Sequence, residues 1–178
     1  MRRIRVGFVT LAVAVLGVSA MVVSVTASAA QSATPAGANI NFSPNLTGRV
    51  NRSVIPANPP VESWRLTAEG TAAPLGRFNY VSNLTVHFGI DGMPLSITDG
   101  VGAFTGDAKN NSGDAIFFTL SGVFQRGGDG KFDAVFIVTG GTGRFVGLFG
   151  SGRIAASADV AHNTFVGAWD GLAKRPGG

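Results

Sequence analysis

The chain offers little from which to build a reactive centre. It holds two histidines, His87 and His162, ten carboxylates and no cysteine. Without thiols there is no disulfide framework, no thiolate nucleophile and no Cys-based zinc site. A metal would need both histidines together with carboxylates gathered from distant segments, so no metal is expected. Glu62 and Glu69 are the only glutamates, a poor supply for the paired acids of glycoside hydrolysis. Gly150-Ser-Gly152 lacks the full Gly-x-Ser-x-Gly elbow, and nothing helical is expected after it. For general acid or base work this leaves Glu69, Arg77, His87 and Asp107, chosen by strand position alone.

Two glycine-rich segments invite a ligand and then fail on context. Thr139-Gly-Gly-Thr-Gly-Arg-Phe145 looks like a phosphate cradle, yet such a loop needs a helix N-terminus behind it. Its continuation, Val146-Gly-Leu-Phe-Gly-Ser-Gly152, is strand-like, so a hairpin or barrel corner is the expectation. Gly127-Gly-Asp-Gly-Lys-Phe-Asp133 imitates one calcium repeat, but its second Asp comes a position late and no further copy follows. It reads as a turn with solvated carboxylates. Trp64, Phe78, Tyr80, Phe88, Phe118, Phe136 and Trp169 are the candidate ligand platform. The same residues serve equally as a core, and only an apolar cavity would separate the two roles.

The formal charge of +4 points towards nucleic acid until the charges are located. Arg2, Arg3 and Arg5 precede an apolar run, and Lys174 and Arg175 end the chain. Residues 61–173 carry all ten acids against seven bases, a net charge of −3. A nucleic-acid partner is therefore not expected.

The elements that would position these residues are strands. Phe78, Tyr80, Leu84, Val86, Phe88 and Ile90 alternate with Arg77, Asn79, Asn83, Thr85 and His87, with Ser82 the single polar break. A period of two belongs to a strand with one buried face. Ile116, Phe118, Leu120 and Phe124 repeat it, as do Phe132, Ala134, Phe136 and Val138. Turn signals separate the runs, which gives strands near 62–70, 75–90, 95–98, 101–109, 114–126, 131–139, 145–158 and 162–173. Whether 95–98 and 101–109 form one bulged strand or two is left open by the pattern. Gly102, Gly106, Gly122, Gly147, Gly150 and Gly167 fall inside these strands, where glycine commonly marks a bulge or bend. A small closed barrel needs such bends. The expected fold is all-β, a small antiparallel closed barrel of about eight strands.

Upstream, residues 1–30 have the order of an export signal: a basic start, an apolar run from Val6 to Val25, and Ala27 and Ala29 spaced for cleavage. The expected location is secreted, without stable membrane insertion after cleavage; an uncleaved segment of this length would instead anchor the chain. Residues 31–60 hold five of the eight prolines and read as a linker or arm, to which Ile40 and Phe42 could add a short edge strand. The barrel is placed at 61–173 and a short tail at 174–178.

The stretch Phe132-Asp-Ala-Val-Phe-Ile-Val-Thr-Gly-Gly-Thr-Gly-Arg-Phe-Val-Gly-Leu-Phe-Gly-Ser-Gly152 resembles the signature segment of the allene oxide cyclase and dirigent barrel superfamily. Phe165-Val-Gly-Ala-Trp-Asp-Gly171 looks like its closing strand. The resemblance implies an eight-stranded antiparallel barrel, commonly a homotrimer, with an apolar interior and no cofactor. Its catalytic residues do not carry over, because no matching positions are found outside the turn segment.

Three functions follow as expectations. The first is a secreted barrel that binds or steers a small hydrophobic molecule. The second is a cofactor-free cyclase or isomerase acting on a lipid-like or phenolic substrate. The third is a cell-envelope assembly protein whose barrel is filled with its own aromatics.

Overall fold

The computed structural model describes residues 39–107, 113–127 and 129–175. The expected export signal, the first part of the Pro-rich stretch, most of the turn at 110–113 and the end of the tail lie outside the described residues. Nine strands follow in order: β1 (Asn39–Phe42), β2 (Asn45–Ile55), β3 (Val61–Ala72), β4 (Gly76–Phe88), β5 (Pro94–Gly106), β6 (Ala115–Phe124), β7 (Lys131–Gly141), β8 (Phe149–Asp159) and β9 (Thr164–Lys174). A single 3-10 turn, Gly143–Phe145, lies between β7 and β8. From β2 to β9 each strand pairs antiparallel with the next, and β9 returns to β2 through Asn45↔Ala168 to Arg49↔Thr164. The result is a closed eight-stranded barrel with one extra strand.

That extra strand corrects the linker reading of 31–60. Residues 39–55 are sheet, and the prolines sit where they remove no ladder donor. Pro44 lies between β1 and β2, while Pro56, Pro59 and Pro60 fill the link to β3. Because β1 and β2 both lie along β9, they amount to one strand interrupted at Ser43-Pro44. The Pro44 carbonyl still accepts the Trp169 N–H at 3.0 Å across the break.

Residues 94–106 form one strand with a bulge. Pairing with β6 slips between Ile97 and Gly100, and Asp99 at the slip has a φ of 51°. An extra residue reverses the inward parity. Ile97 and then Gly100, Phe104 and Gly106 all face the core as a result. The alternation of β4 holds from Phe78 to Val86; Phe88 is half-buried, and Ile90 lies beyond the strand, 97% exposed.

Most strand glycines mark something other than bends. Cross-strand register sets Gly70 opposite Phe78, Gly102 opposite Phe118, Gly48 opposite Phe165 and Gly152 opposite Phe136. A Cβ at Gly102 would come within 2.5 Å of the Phe118 ring, and one at Gly152 or Gly171 within 2.6 Å of the Phe136 ring. Each ring reaches into the space that glycine leaves bare, so large and small residues interlock across the ladder. Gly147, expected inside a strand, instead sits in the turn before β8 with φ 74°.

Candidate functional site

The interior is an aromatic cluster. Phe104 sits at its centre, with ring centroids 4.9 Å from Phe42, 5.0 Å from Tyr80, 5.1 Å from Trp169, and 5.3 Å from both Phe78 and Phe118. Trp169 reaches Phe136 at 4.7 Å and Phe118 at 4.9 Å. Mostly edge-on and tilted packing of this kind adds to the gain from burying each ring, about 2–3 kcal/mol apiece. Of the candidate platform, Trp64, Phe78, Tyr80, Phe118, Phe136 and Trp169 all point inward and are buried, while Phe88 packs at the rim. Phe42 and Phe104, absent from that platform, complete the cluster. Phe42 hides in the Pro-rich stretch and Phe104 follows the bulge.

Among the described residues, an interior void beside Tyr80, Leu84, Leu120 and Trp169 measures about 10 Å³. That is room for one water at most, whereas ligand pockets run to roughly 300 Å³ and more. One polar pair lies in the core: the Tyr80 and Ser82 hydroxyls are 2.8 Å apart and both buried. Burial pushes the Tyr80 phenol well above its usual range, only partly offset by the Ser82 bond. Tyr80 therefore stays neutral and serves Ser82 as a hydrogen-bond partner, not as a base.

One barrel end is closed by the segment expected to form a hairpin or barrel corner. Thr142 donates its hydroxyl to the Gly113 carbonyl, and the Arg144 N–H donates to Asp114 Oδ1 at 3.1 Å. The Arg144 guanidinium lies 3.0 Å from Asp114 Oδ2 and donates to the Pro74 carbonyl at 2.8 Å. The 3.0 Å approach is a charge contact without good hydrogen-bond alignment. Gly143 turns at φ 56° so close to Asp114 that a Cβ would overlap the carboxylate. Phe145, Leu148 and Leu75 are buried beneath this knot. At the other end Trp64 stacks edge-on with Phe124 at 6.0 Å, and its indole N–H donates to Glu62 at 2.6 Å.

The acid-base candidates lie outside. Arg77 draws Glu69 to 3.7 Å and Asp107 to 3.9 Å, but Glu69 and Arg77 are solvent-exposed. His87 Nε2 meets Thr98 Oγ1 at 2.8 Å on the outer face. Thr98 donates its own proton to Asp99 at 3.0 Å, so Nε2 must carry hydrogen and His87 cannot activate that hydroxyl. No group of three or more His, Asp or Glu suited to a metal occurs among the described residues.

The outer surface has two unlike walls. Across β2–β4 the outward positions are mainly Thr47, Arg49, Asn51, Arg65, Thr67, Glu69, Arg77, Asn79, Asn83 and Thr85, with Val54 and Ile55 the exposed apolar pair at the end of β2. Across β5–β9 they include Val101, Phe117, Val123, Val135, Ile137, Phe149, Val166 and Leu172, all exposed. Two open recesses, of about 1100 and 760 Å³, hollow this second wall, and Arg153 and Asp170 border both.

Compared with known proteins, the chain matches no family model, no curated protein and no solved structure. Its chemistry is carried by its own geometry.

Proposed function

We propose that this protein is a filled β-barrel that acts through its outer surface, as an exported assembly module of the cell envelope or its surroundings. The observation that carries this reading is the interior, where interlocked rings leave a void of about 10 Å³. The order of residues 1–30 supports export. The signature turn supports kinship with the allene oxide cyclase and dirigent barrels, here with the end of the barrel tied shut by Asp114 and Arg144.

A ligand-steering barrel or a cyclase of that kind would need the interior to open by several hundred Å³. Native mass spectrometry of the protein as its own cells make it tests the point. A clean protein mass, with no apolar molecule released on unfolding, is the expected result. A small molecule released from the folded barrel would overturn the filled-barrel reading and restore the carrier.

A further inference from the structure

Resting on the filled-barrel reading, and in place of the homotrimer that the resemblance implies, we infer that the outer wall of β5–β9 docks a second copy of the same chain about a twofold axis, with Arg153 of each copy against Asp170 of the other. Folding does not require this wall to be apolar, because the core lies wholly on the inner faces. Yet Val101, Val123, Val135, Ile137, Val166 and Leu172 point outward, each between 51 and 59% exposed. Ladder register aligns all of these but Val166 in three rows. One row runs Val101, Thr119, Ile137, Ser151, Leu172; the next runs Ser121, Val135, Arg153, Asp170; a third runs Val123, Asp133, Ala155, Ala168. The polar members of the first row are short hydroxyls, which let another sheet approach closely. Contiguous apolar surface of this kind marks an interaction site.

Charge selects the occupant. Arg153 and Asp170 are direct cross-strand neighbours, and neither belongs to a salt bridge among the described residues. A lipid surface or a strongly charged partner would call for one sign of charge here. Asp133 in the third row is already held by the Gln125 side-chain amide at 2.8 Å; the remaining pair, one basic and one acidic group side by side, is self-complementary, the condition for an interface that uses the same patch twice. The two recesses beside Arg153 and Asp170 give the facing side chains somewhere to enter.

Sedimentation velocity of the protein as its cells make it, across a wide concentration range, should show a dimer. Arg153→Asp and Asp170→Arg should each weaken association by roughly a hundredfold, since like charges then face each other across the axis. Mixed in equal amounts, the two variants should dimerise again, because each position then meets the opposite sign. Mixing repairs nothing within either chain, so recovery cannot come from restored folding. Ile137→Lys is the second probe: it should be monomeric, and it should melt like the wild type diluted until that too is monomeric. A monomeric wild type, with or without lipid attached, would overturn the pairing, and so would a trimer, variants that associate like wild type, or a mixture that stays monomeric. None of those results touches the filled interior. An apolar molecule released from a dimer, in contrast, would end the filled-barrel reading and leave the pairing standing.

Discussion

The two walls of the barrel share one core and differ only in what they show to water. On β3, Trp64, Leu66 and Ala68 point in while Arg65, Thr67 and Glu69 point out. On β7, Phe132, Ala134, Phe136 and Val138 point in, and outside lie Asp133, Val135, Ile137 and Thr139. The first strand obeys the usual half-buried rule; the second is apolar on both faces through its middle. Both walls fold on the same interior, so the core does not require the outward Val135 and Ile137 to be apolar.

The sharpest break of this comparison separates neighbours on β7. Phe136→Ala should cost about 4 kcal/mol of stability, read by denaturant unfolding, because Gly152 and Gly171 beneath the ring have no side chains with which to fill the hole. Asp114→Asn should come next, at about 2–3 kcal/mol, since it leaves the Arg144 guanidinium without its carboxylate over the barrel end. A drop well under 1 kcal/mol there would demote the Asp114–Arg144 knot from structural closure to surface decoration.

Ile137→Lys and Asn79→Lys make the same change on the two walls. At concentrations low enough to keep the wild type monomeric, both should shift stability by no more than about 0.5 kcal/mol in thermal unfolding. Only the first should alter sedimentation, and equal behaviour of the two would erase the distinction between the walls.

The smallest effect is expected at the β8–β9 turn, where His162 donates to Asp159 from its ring at 2.7 Å and from its backbone N–H at 3.1 Å. These bonds hold the Asp159 carboxyl below its ordinary value of 3.8. Its folded pKa is the lower one, so the stabilisation is present above the ordinary value and fades as pH falls through the folded value. Asp159→Asn should be slightly less stable than wild type at neutral pH, and the two melting curves should converge in strong acid. A gap that persists in acid would mean that the turn does not depend on this ionisation.

The sequence read well wherever one face of a strand is wet. From Phe78 to Val86 the alternation identified the inner residues, Ser82 included, because each step along a strand flips the side chain. The turn around Gly140 to Arg144 was marked by its glycines before its role as a closure was visible. The strands β1 and β2 were obscured by prolines that count as linker composition but sit between ladders. Phe104 was obscured differently: the bulge at Thr98-Asp99 shifts the parity, and counting residues cannot reveal a shift. Glu69, Arg77 and Asp107 were grouped by strand position; in the fold they do meet, on the outside of the barrel end.

By itself the sequence determined an all-β chain, its principal strands and its closed antiparallel class, because these depend on local periodicity and turn chemistry. Only the tertiary structure decided that the barrel is full. Filling depends on which residue lies across the ladder from which, and the opposition of Gly152 to Phe136 or Gly102 to Phe118 exists only once register is set. The apolar wall was decided in the same way. Val101, Ile137 and Leu172 are far apart in the chain, and hydrogen bonding between strands draws them into one row on one surface.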